Sequence, residues 1–165
     1  MRPKPTPHKA GPGQESAWDY PRPPRLEEVD DEVEVFFAEE SIAYTDKPMR
    51  VLETSHPPVY YFPREAVDGG ELVATGRTSV CEYKGVATYY DLVVGDRRAK
   101  GAAWSYERPE PGYEPMAGYV AFFPAKVECL LDGEIAAAQP GDFYGGWVTT
   151  RVVGPFKGDP GTMDW

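Results

Sequence analysis

At 165 residues the chain has material for one ordinary domain with a single core, and not for two independent ones. Its 41% hydrophobic and 13% aromatic content excludes a disordered protein, and a formal net charge of −10 with no basic stripe argues against nucleic acid and anionic membrane as partners. No run reaches the about 18 apolar residues of a membrane span and the N-terminus lacks the apolar middle of a secretory signal, so a cytoplasmic protein is expected, with its only cysteines, Cys81 and Cys129, as free thiols.

Residues 1–15 are Pro, Gly, Lys and Gln without apolar periodicity, and are expected as a disordered tail. A β domain is expected over 16–138, opened by an extended arm at Trp18–Pro24, where three prolines forbid helix and two aromatics give it something to dock. Val33–Phe37 and Ile42–Tyr44 read as a hairpin, and Met49–Glu53 and Val59–Phe62 as strands parted by Pro57-Pro58. Arg64–Val67 reads as a helical turn. Leu72–Thr75, Thr78–Tyr83 and Val86–Val94 follow as strands, the last apolar on both faces and so expected central and covered on both sides. Ala99–Tyr106, Gly118–Phe123 and Val127–Leu131 continue the pattern, and Asp132-Gly133 turns into Glu134–Ala138. About nine or ten short strands with almost no helix argue for a mainly β sandwich or partly open barrel. Residues 139–165 form a Gly/Pro/aromatic arm too rich in large apolar groups to be solvated, so it packs on the domain or on a second subunit.

Phosphate-loop, dinucleotide-loop, zinc-protease and serine-hydrolase signatures are all absent from the sequence. Two polar clusters and one aromatic set stand out instead. Glu53-Thr54-Ser55-His56 before the Pro-Pro turn supplies a carboxylate and an imidazole, either as the wall of a binding site with Glu53 as base and His56 as proton carrier, or as an ion-paired turn. Cys81-Glu82-Tyr83-Lys84-Gly85 lies between two strands, with alternation setting Cys81 and Tyr83 on one face and Glu82 and Lys84 on the other unless Gly85 is a bulge. Lys84 is either a surface lysine or, if enclosed among apolar strands, one that requires a carboxylate such as Glu53 or a depressed pKa suited to chemistry, and Cys81 is either reactive or a core thiol. Trp104 and Tyr106, with Tyr60, Tyr89, Tyr90, Tyr119 and Phe122, make an aromatic set able to floor a pocket for a flat ligand or simply to fill a β core.

The blocks Trp18-Asp19-Tyr20-Pro21-Arg22-Pro23-Pro24, Leu52 to Tyr61, Cys81-Glu82-Tyr83-Lys84-Gly85, Ala102-Ala103-Trp104-Ser105-Tyr106, Ala117 to Phe122 and Pro140 to Trp147 occur in this order. Together they closely resemble the bacterial family of domain of unknown function 427. The resemblance implies a β-tent, two small antiparallel sheets packed at an angle, as in methionine-R-sulfoxide reductases and the ligand-binding domain of cereblon. Those relatives often hold zinc through paired Cys-x-x-Cys knuckles; this sequence has none, and neither a metal nor another cofactor is expected. The family also carries a nucleotidyltransferase-like label, although this chain has no phosphate-cradling glycine loop or paired metal-binding carboxylates.

The expectation is therefore a small-ligand-binding β domain. Glu53, His56, Cys81 and Lys84 are candidates for chemistry, with Lys84 or Cys81 as nucleophile, and Tyr60, Trp104, Tyr106 and Tyr119 for ligand contact. Two alternatives stay open: an interaction module that forms a homodimer through its aromatic arms, and nucleotide binding or nucleotidyl transfer.

Overall fold

The computed structural model describes residues 4–165. In chain order the strands are Glu15–Ser16 (β1), Arg25–Glu28 (β2), Val33–Phe37 (β3), Glu40–Thr45 (β4), Met49–Leu52 (β5), Val59–Tyr61 (β6), Glu71–Cys81 (β7) and Gly85–Val94 (β8). They continue with Arg97–Ser105 (β9), Val120–Phe122 (β10), Glu128–Leu131 (β11), Glu134–Ile135 (β12), Ala137–Ala138 (β13), Trp147–Val148 (β14) and Val152–Val153 (β15). Helical structure among the described residues is confined to the 3₁₀ turns Ala17–Asp19, Arg64–Ala66 and Glu114–Met116. None of these is long and apolar enough to cross a membrane.

The fold is mainly β, in several small sheets, none closed into a barrel. One four-stranded antiparallel sheet runs β10-β9-β8-β7, a second runs β12-β11-β3-β4, and a three-stranded sheet runs β2-β5-β6. The last is tied to the first where Phe62 and Val120 exchange backbone hydrogen bonds of 2.8 Å each. The strand count exceeds the expected nine or ten because of β2 and the two-residue pairings, which carry too little sequence for alternation to show.

Leu72–Thr75 and Thr78–Tyr83, read as separate strands, are one strand. β7 pairs with β8 on both sides of a bulge between Ala74 and Thr78, where Gly76 has φ +82°, a conformation glycine adopts without steric cost. β8 is central in its sheet but is not covered on both faces. Ala87, Tyr89 and Leu92 are buried, whereas Val86 is 49% and its cross-strand partner Val80 78% exposed, because at this end of the hairpin the face they share is left uncovered.

Two cores result. The larger gathers Val33, Val35, Ile42, Phe62, Leu92, Phe122, Leu131 and Trp147. The smaller gathers Met49, Val51, Tyr61, Tyr89, Trp104, Tyr106 and Met116. Period-two alternation divides neighbours between them, Tyr61 and Trp104 to the smaller, Tyr60 and Ala103 to the larger.

Both chain ends are laid on this body. Residues 1–3 of the expected tail lie outside the described residues. Over the rest, the mobile tail expected from composition is an extended segment along the C-terminal arm. The His8 N–H donates to Gly154 O at 2.7 Å, Gln14 Nε2 to Thr150 O at 2.9 Å, and β1 pairs in parallel with β15. Backbone hydrogen bonds hold it, and these leave no mark on composition. The arm itself packs on its own chain: Trp147 is fully buried against Tyr60 (5.0 Å between ring centroids) and Phe62 (6.4 Å), with Nε1–H donating to Phe122 O at 3.3 Å.

Candidate functional site

A pocket of about 290 Å³ opens over the smaller core. Four pieces wall it: the Glu53–Val59 turn between β5 and β6, the β7–β8 hairpin end, the Trp104–Tyr106 stretch at the end of β9, and the Phe143–Gly145 and Lys157 portions of the C-terminal arm.

The Glu53–Val59 turn is clamped from both chain ends. Ser55 sits at φ +73°, a left-handed conformation that costs a non-glycine residue of order 1 kcal/mol or more and persists only where the surroundings enforce it. Its N–H donates to Ala17 O and its carbonyl accepts from Lys157 N–H, each at 2.9 Å. The next residue, His56, is thereby turned into the pocket, 8% exposed.

The tautomer of His56 follows from Gln139. Gly146 N–H donates to Gln139 Oε1 at 3.0 Å, which fixes the amide, so that Nε2 donates to Lys157 O at 2.8 Å and to His56 Nδ1 at 3.0 Å. Nδ1 accepts; the ring proton is on Nε2. Burial, reinforced by Lys157, Lys84 and Arg22, pushes the His56 pKa down to about 3. The imidazole is therefore neutral, with Nδ1 engaged by Gln139 and its Nε2–H left facing Glu53 beyond hydrogen-bond reach. That role differs from the proton carrier expected from the sequence: Nδ1 already accepts, and Nε2 has no lone pair to offer.

Nε2 stands 3.8 Å from Glu53 Oε2, which Arg22 Nε also engages at 3.2 Å; Glu53 Oε1 stands 4.0 Å from Lys84 Nζ. Arg22 is held in turn by Thr54 O at 2.8 Å. One carboxylate thus has an arginine as its firm partner and presents its remaining capacity to His56 and Lys84. The ammonium of Lys84 lies 5.8 Å from the Tyr106 ring centroid.

Aromatic side chains supply the rest. Trp104 Nε1–H donates to Tyr61 Oη at 3.3 Å, and the Trp104 ring packs on Phe123 at 4.4 Å. Tyr89, the cross-strand partner of Trp104, bonds Ser79 through its hydroxyl at 2.8 Å. Tyr144 meets His56 edge to face at 4.7 Å. Burial raises the Tyr61 and Tyr106 hydroxyl pKa values well above the ordinary range, so both stay neutral.

The structure brings Glu53, His56, Cys81, Lys84, Trp104 and Tyr106 to this pocket. Cys81, Glu82, Tyr83 and Lys84 all line it, because β7 ends at Cys81, residues 82–84 turn, and Gly85 takes φ +109°. The chain reversal cancels strand alternation. Tyr60 faces the other way, onto Trp147, and Tyr119 is half-buried beside the smaller core without lining the pocket. Tyr90 and Phe122 also lie elsewhere: Tyr90 bonds Glu107, and Phe122 packs in the larger core. Sequence reasoning missed Arg22, Tyr61, Gln139 and Lys157. Only the Tyr60-Tyr61 doublet carried a signal, and the preceding prolines hid its parity.

Residues 25–133 match the model of a family described as a domain of unknown function, DUF427. The chain belongs to the DUF427 family. No curated protein matches it. The matched stretch contains the Glu53 turn, the β7–β8 hairpin and Trp104; Arg22, Gln139, Tyr144 and Lys157 lie outside it. The DUF427 portion thus provides most of the aromatic wall, and the flanking segments lock Glu53 and His56.

Proposed function

We propose that this DUF427 protein binds a small, flat, ring-bearing molecule in the pocket between Glu53, Lys84 and Trp104. The observation that carries the reading is convergence. An ammonium, a carboxylate and a fixed imidazole N–H from separate parts of the chain meet at one end of a cavity walled by Trp104, Tyr61, Tyr89 and Tyr144. Apolar walls with a few oriented polar groups are the usual composition of a ligand site, and about 290 Å³ is at the small end of such sites, suited to one ring or two. Burial of the ring supplies affinity, and the polar end sets orientation.

A thermal-shift screen with benzyl alcohol, phenol, indole and aromatic acids tests this. A ligand at a hundredfold excess over its Kd stabilises the native state by about 2.7 kcal/mol, and that gain is expected to shrink in Lys84→Met and Tyr106→Phe. A panel that leaves the melting temperature of the folded wild type unmoved removes the proposal.

The alternative of an interaction module draws support from the exposed Val80 and Phe143. The arms it relies on are already engaged, however: Trp147 is buried, and Trp18 packs on Trp165 at 5.6 Å between ring centroids.

A further inference from the structure

Lys84 differs from Arg50, another enclosed cation among the described residues, in how it is bonded. Arg50, with 15% of its side chain exposed, is held by Glu15 at 2.9 Å and Glu27 at 2.5 Å. Lys84 is similarly enclosed at 12%, yet its carboxylate partner is 4.0 Å away, beyond hydrogen-bond reach, and Tyr106 offers it only a ring face at 5.8 Å. Withdrawing an ammonium from water without completing its hydrogen bonds is costly. An amine placed this way, beside a carboxylate and under aromatic walls, is suited to covalent capture of a carbonyl carbon.

Resting on the pocket reading above, we propose that Lys84 captures an aromatic aldehyde as a reversible imine. Glu53 Oε1 takes one proton from the ammonium, and the freed Nζ lone pair attacks the carbonyl carbon. The carbonyl oxygen, accepting from His56 Nε2–H as charge develops on it, takes a second proton from the nitrogen to give the carbinolamine. Glu53 returns its proton to that hydroxyl, which leaves as water while the nitrogen lone pair closes the C=N bond. Ammonium, aldehyde and carboxylate become iminium, water and carboxylate, so a cation stands beside the Glu53 carboxylate at the start and again at the end, with neutral amine, carbinolamine and carboxylic acid in between. The field that holds the ammonium therefore also holds the product, and the enclosing rings keep out the bulk water that would reverse the condensation.

The full chain is incubated with benzaldehyde and sodium cyanoborohydride near neutral pH, and benzylated lysines are mapped by peptide mass. Lys84 is expected to label roughly tenfold faster than the exposed Lys100 and Lys126. That preference is expected to disappear in Glu53→Gln, and Lys84→Arg, which keeps the cation, is expected to show no label in that peptide. Benzyl alcohol, the same ring without a carbonyl, is run beside it in the thermal-shift assay. If benzyl alcohol binds but Lys84 labels no faster than the exposed lysines, the imine proposal is overturned and the pocket reading stands. If neither occurs, both fall. Preferential labelling that survives intact in a folded Glu53→Gln protein also overturns the proposed route.

Discussion

Acidification should destabilise this protein in part through His56, in a pH window that the structure defines. An unfolded chain binds a proton on this histidine as the pH falls through 6.5, whereas the folded chain, with Nδ1 taken by Gln139 and the ring buried among Lys84, Lys157 and Arg22, does not do so until about pH 3. The folded-state pKa is depressed, so the associated stability is complete above pH 6.5 and is lost on going down. The loss attributable to His56 is about 2 kcal/mol at pH 5 and about 4 kcal/mol by pH 3. Carboxylates lose stability over part of the same range, so the measurement is a difference. Urea unfolding of the wild type and of His56→Gln near pH 7.5 and near pH 5 should show the wild type losing about 2 kcal/mol more than the variant. Only two histidines are present, and His8 is exposed, so the His56 resonances are simple to assign. A long-range ¹⁵N spectrum should show the proton on Nε2. Equal pH slopes in the two proteins, a His56 signal titrating near pH 6.5, or a proton on Nδ1 would refute the Gln139 clamp.

Other substitutions probe the remaining walls. Gly146→Ala would place a Cβ 2.5 Å from Pro57 and 2.7 Å from Gln139 Oε1; it should dislodge the amide and shift the His56 tautomer in the same spectrum. Gly145→Ala would set a Cβ 2.4 Å from the Trp104 ring, and is expected to change Trp fluorescence and abolish ligand-induced stabilisation while the rest of the fold persists. Trp147→Ala should cost about 3–5 kcal/mol by urea unfolding, since it removes a fully buried indole from between Tyr60 and Phe62. With a thiol reagent, Cys81 should react first in the native state and be protected by a pocket ligand. Cys129, fully buried and with its thiol pKa pushed up by that burial, should react only on unfolding.

Much of this architecture was legible in the sequence, for reasons that differ by residue. Val33–Phe37, Met49–Leu52 and the central span of β8 announce themselves through β-branched and aromatic runs cut by Gly and Pro, and the helical turn at Arg64–Ala66 follows its proline. The polar end of the pocket was legible because Lys84 among apolar strands called for a carboxylate, and Glu53 supplies it at 4.0 Å. Which tyrosine of a doublet faces the pocket depends on register, and register after Pro57-Pro58 is set by the pairing of β6 with β5, Tyr61 opposite Met49, and by the Phe62–Val120 bridge, a contact distant in sequence. Gln139, Arg22 and Lys157 are invisible for a related reason. Their local sequence carries no periodic signal, and their roles arise only from the way the two arms close over the β domain.

That closure has a consequence for how the protein is made. Trp147, Gln139, Tyr144 and Lys157 come late in the chain, and the segment that holds Ser55 in its left-handed turn draws on Ala17 from one end and Lys157 from the other. On the ribosome, the sheets can pair well before the cavity exists, and the cavity is complete only when the last stretch emerges and finds the first. Until then the pocket lacks the Gln139, Tyr144 and Lys157 side that fixes His56, and removing either segment that holds Ser55 should leave that histidine no longer set.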